Sequence, residues 1–250
     1  MDRSEYLLVV SKQRRIQKTL NDICIWAKLA SLSLEVMEKD KGVIDVVSSF
    51  PVPSKIANKV VNRSPEAIVS TLQKARTSEL YKALVVYSVS LVEPVLLEIV
   101  RLTLLFDKRR LKTKPKGCES KIDYDTIVDC DNYSEVINHI IAKYVDALGY
   151  SKLCDQLDYI EKLLGIDIDD DLWEQWIEIK ATRDLIAHNN CMINNVYLDK
   201  AGTRARGELN KELVVDKGYF DNLIVVSKSL IGQIVSRILK KEKEYTPELV

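Results

Sequence analysis

Turn-forming punctuation is scarce in this chain. Its 250 residues hold only 8 glycines and 6 prolines, and no Gly-rich phosphate loop, dinucleotide fingerprint or internal repeat is present. There are 2 histidines and 5 cysteines. Cys24, Cys118, Cys130, Cys154 and Cys191 are scattered with no Cys-x-x-Cys pair, so a structural zinc site has almost no ligands to draw on and no metal or other cofactor is expected. An odd, dispersed set of thiols reads as reduced and cytoplasmic. Net charge is also missing: 37 basic and 37 acidic side chains cancel. No whole-protein field therefore attracts nucleic acid, and any RNA contact must be local. Asp2, Arg3 and Glu5 at the start, with no sufficient apolar core after them, exclude a secretory signal from the expectation. The most apolar stretch, Ala83 to Phe106, is interrupted by Glu93, Pro94, Glu98 and Arg101, which suits a buried helix better than a membrane span. The acidic residues Asp167, Asp169, Asp170 and Asp171 lack the glycine and terminal glutamate of a calcium loop and fit the negative charge favoured at a helix start.

What is present points to helices. A 46% hydrophobic composition can form a substantial core, and abundant Leu, Ile, Val, Lys and Glu suit long helices. Ile16, Leu20, Ile23, Ala27 and Ala30 recur at helical intervals, predicting one helix over residues 4–39. An irregular connector follows over Val43 to Pro53, and Pro65 opens a short helix to Arg76. Ser78 to Lys108 reads as the central core helix, bent at Pro94. A polar linker, Arg109 to Asn132, precedes a helix from Ser134 to Leu148 closed by Gly149, and another from Ser151 to Leu164 closed by Gly165. A further helix runs from Leu172 to Asn189. Alternating pieces at Asn195 to Leu198 and Glu212 to Val215 suit a small β-hairpin. A last helix covers Tyr219 to Lys243, with Leu223, Val226, Leu230, Ile234 and Ile238 as its apolar stripe.

The residues best equipped for chemistry lie at the end of the Leu172 to Asn189 helix. Asp184 and His188 are four apart and share a face, so the carboxylate can accept a hydrogen bond from a ring nitrogen and favour imidazolium. Arg183 is about 140° away around the axis, within reach of the same opening through its long stem. Asn189 and Asn190 are cap formers that leave the histidine near an accessible helix end. Taken alone, the same residues also make an ordinary helix C-terminus with a cation near its last carbonyls.

The pattern Arg183, polar Asp184, three variable positions, then His188, in an all-helical chain, resembles the signature of the HEPN superfamily of helical RNA-cleaving proteins. Ile186-Ala187-His188-Asn189-Asn190, followed by Ile193-Asn194 and Val196-Tyr197-Leu198, is similar to the branch found in bacterial phage-defence and abortive-infection loci. The resemblance covers residues 78 to 243. Where many active members carry Asn, this chain has Asp184. It implies an all-α, HEPN-like antiparallel helical bundle over 78–250, with residues 1–77 an N-terminal helical extension outside the match. It further implies a metal-independent endoribonuclease, working as a homodimer whose arginines and histidines line one cleft and leaving 2′,3′-cyclic phosphate ends. In that scheme His188 is the general base on the ribose 2′-hydroxyl or the general acid on the leaving 5′-oxygen, and Arg183 steadies the phosphate. Asp184 orients the histidine.

Expected RNA contacts are Asn189, Asn190, Tyr197, Arg204, Arg206, Lys112 and Lys114. Lys112 and Lys114 belong to the densest basic run, Lys108 to Lys116. Lys200, Arg204 and Arg206 form a second basic set that can extend a backbone-binding groove or serve as ordinary surface charge. Tyr197 can stack on a base or pack on the core. Cys191 lies three residues from His188, but no acyl-transfer motif accompanies the pair. The alternative function is a non-catalytic module that dimerises or docks an antitoxin, sensor or ATPase partner, with no membrane involved.

Overall fold

The structure, a computed structural model, describes residues 3–46, 49–55, 59–119 and 121–245. It is 77% helical and 4% strand, which meets the all-α expectation. In chain order the helices are α1 (Arg3–Lys39), α2 (Lys41–Val46), α3 (Pro65–Lys74), α4 (Leu80–Phe106), α5 (Tyr124–Val128), α6 (Tyr133–Tyr150), α7 (Leu153–Leu164), α8 (Asp170–Asn189), α9 (Asn195–Ala201) and α10 (Lys217–Tyr245). Strands β1 (Ser49–Val52) and β2 (Lys59–Asn62) pair antiparallel, Phe50 opposite Val61.

Helices α4 and α10 form the centre, with α1 packed on both and α8 also packed on both. Helix α6 packs on α4, α7 on α4 and α6, and α9 on α8. The stripe Ile16, Leu20, Ile23 and Ala27 of α1 is buried, as are Val85, Val89 and Val92 of α4 and Leu223, Leu230, Ile231 and Val235 of α10. All belong to one hydrophobic core. Its largest members, Trp173 and Trp176, come from the start of α8. The stretches Pro65–Phe106 and Lys217–Lys240 are long and apolar enough to cross a membrane by composition alone, and their apolar stripes supply much of this core.

Several boundaries differ from the sequence reading for identifiable reasons. No glycine or proline separates Pro65 from Pro94, so α3 does not end at Arg76. It passes through a π-helical turn, Ala75–Glu79, directly into α4. That turn is tied to α1 by Gln73 and Arg76, which donate to the Glu38 carboxylate at 2.9 and 3.1 Å. The connector expected over Val43 to Pro53 instead holds the end of α2 and β1, apart from residues 47–48, which lie outside the described residues. Helix α4 continues through Pro94. The linker after it contains a 3₁₀ turn (Lys108–Lys112) and α5.

Helix α6 starts one residue early because Asn132 accepts from the Glu135 N–H while Glu135 accepts from the Asn132 side chain and the Asp131 N–H, a capping box. It does not stop before Gly149 but runs on to Tyr150. Gly165, by contrast, closes α7 in the left-handed conformation at φ 60°, as expected. Asp169 caps α8, accepting from the Asp171 and Leu172 N–H groups. The hairpin expected after α8 reduces to a single antiparallel bridge, Met192 to Glu212. Asn195 to Leu198 is not a strand: Asn194 caps the segment by accepting from the Tyr197 N–H at 2.9 Å, and it folds as α9.

Candidate functional site

The end of α8 is shaped by two consecutive left-handed residues, Asn190 at φ 48° and Cys191 at φ 63°. Asparagine tolerates this conformation; cysteine does so only when its surroundings hold it there. Here the Cys191 N–H donates to the Leu185 carbonyl at 3.2 Å, and its own carbonyl accepts from the Leu213 N–H at 2.8 Å. The chain is thereby turned back so that α9 lies against α8. Between them is a cleft of ≈ 350 Å³ lined by Asp184, Leu185, His188, Asn189, Asn194, Tyr197 and Lys200, among others. His188 is exposed in the last turn of α8, and among the described residues its ring has no hydrogen-bond or ion-pair partner.

The expected Asp184 to His188 hydrogen bond is not made. Asp184 is held instead by Arg183 at 3.0 Å and by Lys200 at 3.0 Å. Arg183 itself does not line the cleft. Its guanidinium turns to α4, where it donates to Glu93 at 2.6 Å. Lys180 reaches the other oxygen of Glu93 at 2.5 Å. A continuous chain of charge thus runs Lys180, Glu93, Arg183, Asp184, Lys200, and only its last two members face the cleft. Arg183 Nε is buried with no hydrogen-bond partner, so this arginine is only partly satisfied where it stands.

The expected RNA contacts divide sharply. Asn189 and Asn190 lie at the cleft end of α8, Asn189 donating to the Met192 carbonyl. Lys200 of the second basic set enters the cleft. Arg204 is drawn back to the start of α8 by Asp171 and by Glu174 at 3.2 Å. Tyr197 and Arg206 are not available as a stacking platform and a backbone grip, because both point into the protein. Their common partner is Glu178, a buried carboxylate in the middle of α8. It accepts from Thr182 Oγ1 at 2.7 Å, Tyr197 Oη at 2.9 Å, Tyr219 Oη at 2.9 Å and Arg206 Nε at 3.0 Å. The Arg206 guanidinium also lies 3.7 Å over the Tyr219 ring and donates to the Val214 carbonyl at 3.0 Å. Burial works against the charged form of Arg206, but Glu178 outweighs it and raises the pKa. Burial, reinforced by the Glu178 charge, pushes both tyrosine hydroxyls up.

Lys112 and Lys114 line a different cavity, of ≈ 370 Å³, with Lys121, Lys143 and Tyr144. Cys191 is buried, and burial raises its thiol pKa, so it is poorly suited to pair with His188 as a nucleophile. Among the described residues no group of three or more His, Cys, Asp or Glu side chains is gathered to hold a metal ion.

Glu178, Glu93 and Tyr219 were not among the residues expected at or around the site. A signal existed for two of them: Glu93 interrupts the apolar run of α4, and Glu178 stands between Ile177 and Ile179. A carboxylate embedded in an apolar stretch must find a partner or stay neutral. Compared with known proteins, the chain matches no family model, no curated sequence and no solved structure.

Proposed function

We propose that the chain is a metal-independent endoribonuclease of the HEPN type from a bacterial defence or toxin system, acting at the cleft between α8 and α9. The observation that supports it is His188: an imidazole with no partner among the described residues, at the open end of α8, on the wall of a cleft that also carries an ammonium group and side-chain amides. A neutral imidazole there takes the proton of a ribose 2′-hydroxyl as that oxygen attacks the adjacent phosphorus. The P–O5′ bond breaks, the leaving oxygen gains a proton, and a 2′,3′-cyclic phosphate remains. A second imidazole, supplied by another copy, completes the acid and base pair.

Lys200 is the cation best placed for the phosphate, at the exchange of its contact with Asp184. Arg183 joins it only by leaving Glu93. In this reading Asp184 does not orient His188; it holds the two cations. The test is incubation with total cellular RNA in excess chelator, beside His188→Ala and Lys200→Ala variants of unchanged helical circular dichroism. Cleavage by the unaltered chain alone, leaving cyclic phosphate ends, supports the reading. Equal behaviour of all three chains overturns it for the isolated protein.

One observation favours a second reading, a non-catalytic module that docks an antitoxin, sensor or ATPase partner. Both Arg183 Nη atoms are engaged by carboxylates and Asp184 is turned away from His188. Under that reading, partner binding survives Arg183→Ala and His188→Ala together.

A further inference from the structure

Helix α1 has two apolar faces, and only one of them is covered. Ile16, Leu20, Ile23 and Ala27 are buried against α4 and α10. On the opposite side, Ile25, Leu29, Leu32 and Val36 are 54%, 58%, 50% and 66% exposed, with Trp26 beside them at 52%. Their spacing of four, three and four residues is the a/d seam of a coiled coil rather than a scatter of surface side chains. The seam stands within a helix of 37 residues.

The charges that flank this seam say what covers it. With Leu29 and Val36 at a and Ile25 and Leu32 at d, Lys28 and Glu35 both fall at g, and Asp22 and Lys39 extend the seam at a and d. When two copies of α1 run antiparallel about a two-fold axis, Leu29 packs on the partner's Leu32 and Ile25 on the partner's Val36. That same register sets Lys28 against the partner's Glu35 and Asp22 against the partner's Lys39. Symmetry repeats each pair, as an isologous contact requires. A parallel alignment would instead face Asp22 with its own copy and Lys39 with its own copy, both repulsive. In the single chain, among the described residues, Asp22 and Lys28 have no ion-pair partner, while Lys39 contacts Glu35 at 2.6 Å one turn away.

We infer that α1 is a homodimerisation helix, and that the partner on the Ile25-Leu29-Leu32-Val36 seam is a second copy of this chain, docked antiparallel with Lys28 facing Glu35. The seam covers about 27 Å of helix from Asp22 to Lys39, a small interface whose dimer depends on protein concentration. None of the seam residues lines the α8/α9 cleft, so this contact stands or falls separately from the ribonuclease reading.

The experiment is native mass spectrometry and sedimentation equilibrium on the full chain, with Lys28→Glu, Glu35→Lys and the double variant. The unaltered chain is expected to form an assembly of at least twice its 28.5 kDa mass. Each single reversal sets like charges opposite one another in both symmetry-related pairs and raises the dimer dissociation constant about tenfold or more. The double variant recovers the unaltered constant. An equimolar mixture of the two single variants forms the mixed dimer in preference to either homodimer, which also shows that both variants are folded. A chain that stays monomeric at all concentrations, or a dimer whose constant is unmoved by the single reversals, or single variants that fail to associate with each other, overturns the proposal.

Discussion

Two polar clusters on α8 sit less than three turns apart and behave oppositely. Glu178 is buried and has every partner it needs: one arginine, two tyrosine hydroxyls and a threonine. His188 is exposed and has none among the described residues. A buried carboxylate without partners would be too costly to retain, so its surroundings have to be complete. A histidine at a frayed helix end carries no such demand, and its lone pair and proton stay free for a ligand. Saturation marks the part of the helix that holds the fold, and the proposed chemistry falls at the end whose ring is free of partners among the described residues. Arg183 lies between the two, half-committed to Glu93 and Asp184 with an unsatisfied Nε.

Breaking the saturated cluster should have the largest effect. Glu178→Ala leaves two buried tyrosine hydroxyls and the half-buried Arg206 guanidinium without their carboxylate and is expected to cost about 2–4 kcal/mol after solvent screening at Arg206, read as a lower urea midpoint. Glu178→Gln keeps the shape and some hydrogen bonds and should lose less. If Glu178→Ala unfolds at the same midpoint as the unaltered chain, the cluster is not what holds α8, α9 and α10 together.

The same cluster fixes an alkaline limit. Tyr197 and Tyr219 have pKa values raised by burial, and Tyr159 is raised by burial as well. In the unfolded chain these phenols lose their protons at about pH 10. Above that pH the folded state holds more protons than the unfolded one, so stability is fully present below it and falls as pH climbs toward the folded values. Ultraviolet titration of phenolate should show part of the tyrosine signal delayed and released together with helix loss. Titration of all tyrosines near pH 10 with the fold intact would contradict the burial of these hydroxyls.

Arg183→Ala should have an intermediate effect. It leaves Glu93 with Lys180 and Asp184 with Lys200, so a loss of about 1 kcal/mol is expected for a pair that solvent still reaches. A loss as large as that of Glu178→Ala would make Arg183 part of the scaffold and weaken any role in phosphate binding. The smallest effect on stability belongs to His188→Ala, within about 0.5 kcal/mol because the exposed ring has no partner among the described residues. The proposed RNA cleavage should nevertheless vanish in this variant. Stability and activity moving in opposite order across Glu178, Arg183 and His188 would sharpen the division between the two clusters.

Much of the architecture was legible beforehand. The stripe on α1, the left-handed Gly165 after α7, the start of α8 and the stripe on α10 all follow from local spacing and caps. Two of the errors share one cause. The π turn at Ala75–Glu79 is held by what packs beside it, Glu38 of α1 accepting from Gln73 and Arg76. The alternating residues of Asn195 to Leu198 suit a strand until Asn194 caps the turn and Tyr197 finds Glu178.

The site was legible in composition but not in direction. Asp184, His188, Asn189 and Lys200 do meet at one cleft, as helical periodicity and nearness in sequence suggested. Helical geometry also allowed Asp184 to reach His188 and Arg183 to swing to the same opening. Neither happens, because Glu93, 90 residues earlier in the chain, claims Arg183, and Lys200 claims Asp184. Local propensity and apolar period, which depend on near neighbours, determined that this chain is a set of long helices with a histidine at the end of α8. Which charges pair, which way a long arginine turns and which tyrosines are buried were decided only by tertiary structure. Those outcomes depend on carboxylates brought close by folding, and no spacing along the chain encodes that proximity.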